Sequence, residues 1–224
     1  MCQFKSAIVT KKGIIWEIGN NNHSILLENS GLKDDGVRNN FVRVEMLPRD
    51  NIFNHKKSNW YLHVDQDNIP TWFDEKEISE RMWKQVMKEV FKEQFVIDKN
   101  DITKENVNGL WIKNSKNIIV KNCQTVEVFD NSTVEVFDNS TVEVFDNSTV
   151  KVFDNSTVKA FDNSTVKAFD NSTVEVSGNS QILLPYSHNV KIIKVSGNAL
   201  VKDVPNKKII VANKDFKKII FKRS

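Results

Sequence analysis

Residues 125–180 read TVEVFDNS three times, then TVKVFDNS, TVKAFDNS twice and TVEVSGNS: seven octads opening at Thr125, Thr133, Thr141, Thr149, Thr157, Thr165 and Thr173. Positions two and four are apolar throughout, from Val126 and Val128 to Val174 and Val176, with Ala160 and Ala168 in two octads. Apolar residues two apart make a short strand with one apolar face. The following D-N-S holds residues that tolerate left-handed backbone or hydrogen-bond their own turn, and Gly178 takes the aspartate's place in the seventh octad. An amphipathic helix fails, because β-branched residues at this spacing scatter around a helix axis. Strand, corner, strand, corner describes a β-solenoid.

Degenerate octads carry the pattern outward. Leu110 with Ile112 and Ile118 with Val120 precede the repeats in register, and Ile182 with Leu184 and Val190 with Ile192 follow. The terminal KKIIVANKDFKKIIF changes the period to ten, as a cap shielding an open edge would. The solenoid is therefore placed at 109–224, with its cap at 207–224. Position three points outward and runs Glu127, Glu135, Glu143, Lys151, Lys159, Lys167, Glu175. With three octads per coil, residues twenty-four apart stack and every contact pairs opposite signs, whereas two per coil stacks Glu127 on Glu143 and Lys151 on Lys167. One turn-forming residue per corner also suits a triangle, so a triangular β-helix with three octads per coil is expected.

The position-five rings Phe129, Phe137, Phe145, Phe153, Phe161 and Phe169 follow an inward residue and form an exposed or corner ridge. They either stack between coils and shield the corner, or offer a binding surface. Asn131-Ser132-Thr133 and its copies match a glycosylation acceptor, but the same residue types are what a corner needs.

Residues 1–98 carry no repeat and read as a small α/β domain. Strands are expected at Phe4–Val9, Ile14–Glu17, Phe41–Met46 and Trp60–Val64, with a short helix at Ser24–Asn29. A long helix over about 75–95 opens on Asp74 and Glu77 and places Ile78, Met82, Trp83, Val86, Met87, Val90 and Phe91 on one face. The polar segment 99–108 reads as a linker. The whole is an α+β domain followed by an all-β solenoid.

Composition excludes more than it assigns. There is no run of eighteen apolar residues and no signal-peptide layout, which places the protein away from membranes, in the cytoplasm of a bacterium or infected cell. Two cysteines, Cys2 and Cys123, are too few for a disulfide framework or a thiolate zinc site. A net charge of +3 with mixed signs argues against a dedicated nucleic-acid binder. Only the tail Lys207, Lys208, Lys214, Lys217, Lys218, Lys222 and Arg223 offers weak contact to phosphate, and a solvated cap explains it as well.

The N-terminal domain supplies the candidate chemistry. Removal of Met1 would expose Cys2 as an N-terminal nucleophile whose own amine serves as base, with His23, Asp65 and Asp67 completing a site. Each also has a plain reading: Cys2 as a small residue on a first strand, His23 as part of a helix start, and Asp65 and Asp67 as a polar turn before Pro70. The two aspartates share a face and could meet a divalent ion, but the turn needs none, so neither a metal nor a cofactor is expected. Arg43 and Glu45, on one strand face, read as a surface ion pair.

MCQFKSAI at the start, FVRVE at 41–45, VDQDNIPTWF at 64–73, an amphipathic helix and short polar tandem repeats together resemble a group of uncharacterised proteins from gut bacteria and their phages. The resemblance covers nearly the whole chain and implies a place in phage biology, not a chemistry. The resulting expectation is a non-enzymatic binding or scaffold protein that engages a protein partner or itself. The alternative is a Cys2-dependent hydrolase or transferase with the solenoid as an oligomerisation rod.

Overall fold

A computed structural model describes residues 4–33, 40–186, 189–212 and 219–222. The chain divides into two compact units, Met1–Glu93 and Gln94–Ser224.

In the first unit, β1 (Lys5–Thr10), β2 (Gly13–Ile15), β3 (Phe41–Pro48) and β4 (Trp60–Val64) form an antiparallel sheet in the order β2-β1-β3-β4. β3 is interior to the sheet and most of both its faces are covered, so Val42, Val44, Glu45, Met46 and Leu47 are all buried. Helix α1 (His23–Asn29) starts where the Asn22 side chain accepts from the backbone N–H groups of Ser24 and Ile25, and its Leu26 and Leu27 are buried with Ile8 and Phe41. The long helix runs as α2 (Glu75–Arg81), a π-helical stretch Met82–Met87, and α3 (Lys88–Gln94), with Asp74 capping the Glu77 N–H. Its buried side is Ile78, Met82, Val86, Met87 and Val90, which belongs to the apolar face read from the sequence.

The second unit is a β-solenoid of parallel coils, and it closes differently from the triangle. Strand Thr133–Phe137 pairs with Thr149–Val152, and Thr141–Val144 with Thr157–Ala160, so partners are sixteen residues apart and each coil holds two octads. Odd and even octads build two separate sheets of seven and nine strands. The reason lies in the corner. In FDNS the aspartate is left-handed, from φ +53° at Asp170 to +64° at Asp138, and the serine N–H returns to the Phe carbonyl, as at Ser148 to Phe145 over 3.3 Å. Four residues thus reverse the chain fully, where one residue would only bend it. The serine itself is inside: Ser132, Ser140, Ser164 and Ser172 donate their hydroxyls to the same Phe carbonyl at 2.6–2.8 Å. Asp146, Asp154, Asp162 and Asp170 also serve the preceding coil, the Asp146 carboxylate accepting from the Asp130 N–H at 2.9 Å.

The position-three charges do not decide the closure, because their energies are small. Glu127 does lie beside Glu143 and Lys151 beside Lys167, yet Glu135–Lys151 at 2.7 Å and Glu143–Lys159 at 2.9 Å are ion pairs and Lys159 faces Glu175. Exposed pairs contribute only about 0.2–1 kcal/mol, too little to override a turn repeated at every corner. Burial, and after it the neighbouring Glu143 charge, pushes the Glu127 carboxyl above its ordinary value, against a hydrogen bond from Trp111. An acid raised in the folded state is stabilising below its unfolded pKa, and that contribution is lost as pH rises through the folded one. Glu127→Gln is therefore expected to gain a few tenths of a kcal/mol at neutral pH. Urea titrations across pH should show the gain closing as the carboxylate protonates, whereas triangular stacking of Glu127 on Lys151 would give a loss.

The segment read as a linker belongs to the solenoid. Thr103–Glu105 pairs in parallel with Ile118–Lys121, and Phe95–Ile97 with Leu110–Lys113. These first coils turn on two left-handed residues per corner: Asp98 and Asp101, Asn106 and Gly109, Asn114 and Asn117, Asn122 and Thr125. Thr125, exposed and at φ +58°, is a β-branched residue where Asn or Gly sits more easily. Thr125→Asn is expected to raise stability by about 0.5–1 kcal/mol in chemical unfolding. Cys123 fills a serine place, its thiol directed to the Lys121 carbonyl at 3.2 Å, and burial raises its pKa, so it packs as a small inert residue.

At the other end, Ile182 and Leu184 continue the core as expected, and Val190 and Ile192 pack against it, while a bulge after Val174 brings Val195 in beside Val176 in strand Lys191–Val195. The last parallel strand, Leu200–Asp203, is followed by Lys208–Val211 and Ile219–Lys222, both antiparallel to their neighbours. That change of direction is the cap. Of the basic tail, Lys214, Lys217, Lys218 and Arg223 lie outside the described residues.

Candidate functional site

Two sets of residues compete for function. On the solenoid, the position-five rings form two columns, Phe129–Phe145–Phe161 and Phe137–Phe153–Phe169, with centroids 4.7–5.1 Å apart and planes within 10°. Every ring is half-buried. Asparagines one coil apart form a second ladder, Asn163–Asn179 at 3.1 Å and Asn179–Asn198 at 3.1 Å. These surfaces are repetitive, and like side chains meet like.

Unlike groups converge in the first unit. His23 is the first residue of α1, held there by the Asn22 cap, and its ring is buried. Nε2 lies 3.1 Å from the Val44 carbonyl of β3, an acceptor only, so Nε2 carries the proton. Nδ1 lies 3.1 Å from Oδ2 of Asp65, which follows β4 and is positioned by its N–H to the Arg43 carbonyl. Glu45 completes the group: one ligand atom from each of His23, Glu45 and Asp65 falls within 4.8 Å of the others. Asp65 is half open to solvent at 51 %, while Glu45 is buried at 4 %.

Glu45 sits opposite Ser6 in the β1–β3 register, and the Ser6 hydroxyl lies 2.9 Å from the Asn21 carbonyl but 3.4 Å from the Glu45 carboxylate. One hydroxyl proton serves one acceptor at a time, so the carboxylate receives the weaker share. Lys5, next along β1, is almost wholly buried, its ammonium bound by the carbonyls of Glu17 and Asn20 and by the Asn21 side chain at 2.6–3.0 Å. Burial, partly opposed by the Glu17 charge, lowers its pKa to about 8. Lys5 and Ser6 thereby tie the Glu17–Asn22 loop, and with it the start of α1, onto the sheet.

Of the residues singled out in the sequence, His23 and Asp65 are brought into contact. Asp67 is exposed and outside the cluster, and Cys2 lies outside the described residues. Glu45 is the residue sequence reasoning misplaced: it is inward beside Ser6, not half of a surface pair, while Arg43 lies over the Phe41 ring at 5.2 Å. The signal was a carboxylate inside the apolar run FVRVEML, which becomes informative only once β3 is known to be interior to its sheet. Chemically, a proton on Nδ1 makes an imidazolium flanked by carboxylates, and a metal ion in the same place would be shared by all three groups. No protein-family model, curated protein or solved structure matches the chain.

Proposed function

We propose that the protein is a non-enzymatic binding or scaffold protein in which the N-terminal unit recognises a protein partner and the solenoid is a length-tunable support. The observation that carries this reading is the uniformity of the solenoid: its outward Phe, Asn and Glu/Lys positions repeat every sixteen residues, whereas among the described residues the His23, Glu45 and Asp65 convergence lies in the first unit. The resemblance to proteins of gut bacteria and their phages supports a bacterial protein as the partner. The test is affinity capture from a bacterial host lysate with the full chain, a chain lacking Thr141–Ser156, and a chain carrying Phe145→Ser and Phe153→Ser. Equal capture by all three supports recognition by the N-terminal unit. Capture lost only in the phenylalanine variant moves recognition to the aromatic columns.

The His23–Asp65 contact favours a second reading, in which Cys2 is a nucleophile and His23 its partner. Mass spectrometry of the mature N-terminus and the pH dependence of iodoacetamide labelling decide it. A retained Met1, or labelling at the rate of an ordinary thiol, removes it.

A further inference from the structure

We propose that His23, Glu45 and Asp65 form a binding site for a first-row divalent cation of the zinc type. This goes beyond the scaffold reading and does not rest on it. Imidazole nitrogen with two carboxylate oxygens is a donor set for zinc and its neighbours, whereas magnesium and calcium prefer oxygen alone. The histidine is already arranged as a ligand: Nε2–H is committed to the Val44 carbonyl, which fixes the tautomer and directs the Nδ1 lone pair inward. Nδ1 and Asp65 Oδ2 stand 3.1 Å apart. Two ligand atoms each about 2.0–2.2 Å from one zinc ion stand at such a separation.

The site also has a charge that asks for a counterion. Glu45 is a buried carboxylate whose hydrogen bond from Ser6 is long at 3.4 Å, and a buried carboxylate without a strong partner is costly. A cation between Glu45, Asp65 and Nδ1 satisfies all three at once. The three ligands come from α1, β3 and the residue after β4, so a bound ion would tie the helix to the β3–β4 pair of the sheet. The half-exposed Asp65 marks the open side, where water or a partner's side chain would complete the coordination.

The test uses the full-length protein, treated with chelator, dialysed, and titrated with zinc chloride by calorimetry, with metal content read by elemental analysis. The expected result is one zinc per chain, held in the presence of excess magnesium, with a higher unfolding midpoint when zinc is present. Asp65→Asn, isosteric and on the solvent side, is the deciding variant. It should weaken zinc binding roughly a hundredfold or more, since losing outer-shell partners alone costs 10–100-fold, and should abolish the midpoint rise. Glu45→Gln is expected to weaken it likewise, with far-ultraviolet circular dichroism verifying its fold. Cobalt substitution should give visible absorption that Asp65→Asn loses. Absence of stoichiometric zinc in the folded wild type overturns the proposal, and so does unchanged affinity in Asp65→Asn.

Discussion

Val144→Asp is expected to unfold the solenoid unit. Val144 is fully buried, and in its sheet it lies between Val128 and Ala160, one coil before and one after. It belongs to the apolar core of the solenoid, built mostly of valine, isoleucine, leucine and alanine, so an aspartate there is set among apolar side chains. A carboxylate in that position costs about 4 kcal/mol or more, whether it stays charged or takes up a proton. No octad folds alone, because each buries its apolar face only against the coils beside it, so the damage spreads along the stack. One residue earlier the same strand points outward: Glu143→Val should shift stability by no more than about 0.5 kcal/mol, since it exchanges one ion pair and one like-charge contact for none. Urea unfolding of the two variants measures the contrast. Comparable losses in both would mean that the strand does not alternate as described.

The contrast between Glu143 and Val144 also marks how far the sequence could be read. The two-residue alternation specified the inward aliphatic positions of the strands from Leu110 to Leu184, because a buried face admits no register slip, but not the inward corner serines. Coil closure was illegible from the position-three charges, whose energies are too weak to choose between stackings sixteen and twenty-four residues apart. It was written instead in the corner, where aspartate, asparagine and an inward serine together make a full reversal.

The mistaken linker carried its own signal. Left-handed residues recur every eight positions from Asp98 through Asn106, Asn114 and Asn122 to Asp130, so the punctuation of the octads precedes their valines. What hid it was the polar strand TKE at 103–105, which has no apolar alternation to find. For the His23 cluster the sequence offered residue types but not their meeting, since His23, Glu45 and Asp65 come together only through the order of strands in the sheet.

Removing Thr141–Ser156 is expected to leave a folded solenoid one coil shorter. The deletion spans sixteen residues, one full repeat of the observed register, so Thr133–Phe137 is followed by Thr157–Ala160 in the opposite sheet, as it was by Thr141–Val144. Every flanking partner is kept: Phe129 meets Phe161, Phe137 meets Phe169, and the capping strands still follow Leu200–Asp203. The position-three columns improve, because Glu127 now stands beside Lys159 and Glu135 beside Lys167, which eliminates the like-charge contacts Glu127/Glu143 and Lys151/Lys167. Against this the protein loses the buried side chains Val142, Val144, Val150 and Val152. Stability should fall by the worth of one coil and the dependence on denaturant should fall with the area lost, while unfolding stays cooperative. In a triangular coil the same sixteen residues are two thirds of a turn, and Phe129 and Phe161 would land on different faces. Stacked aromatic rings in the shortened protein, read by near-ultraviolet circular dichroism together with a sharp urea transition, are the expected result. A broad transition with that signal lost would show that the coil does not repeat at sixteen.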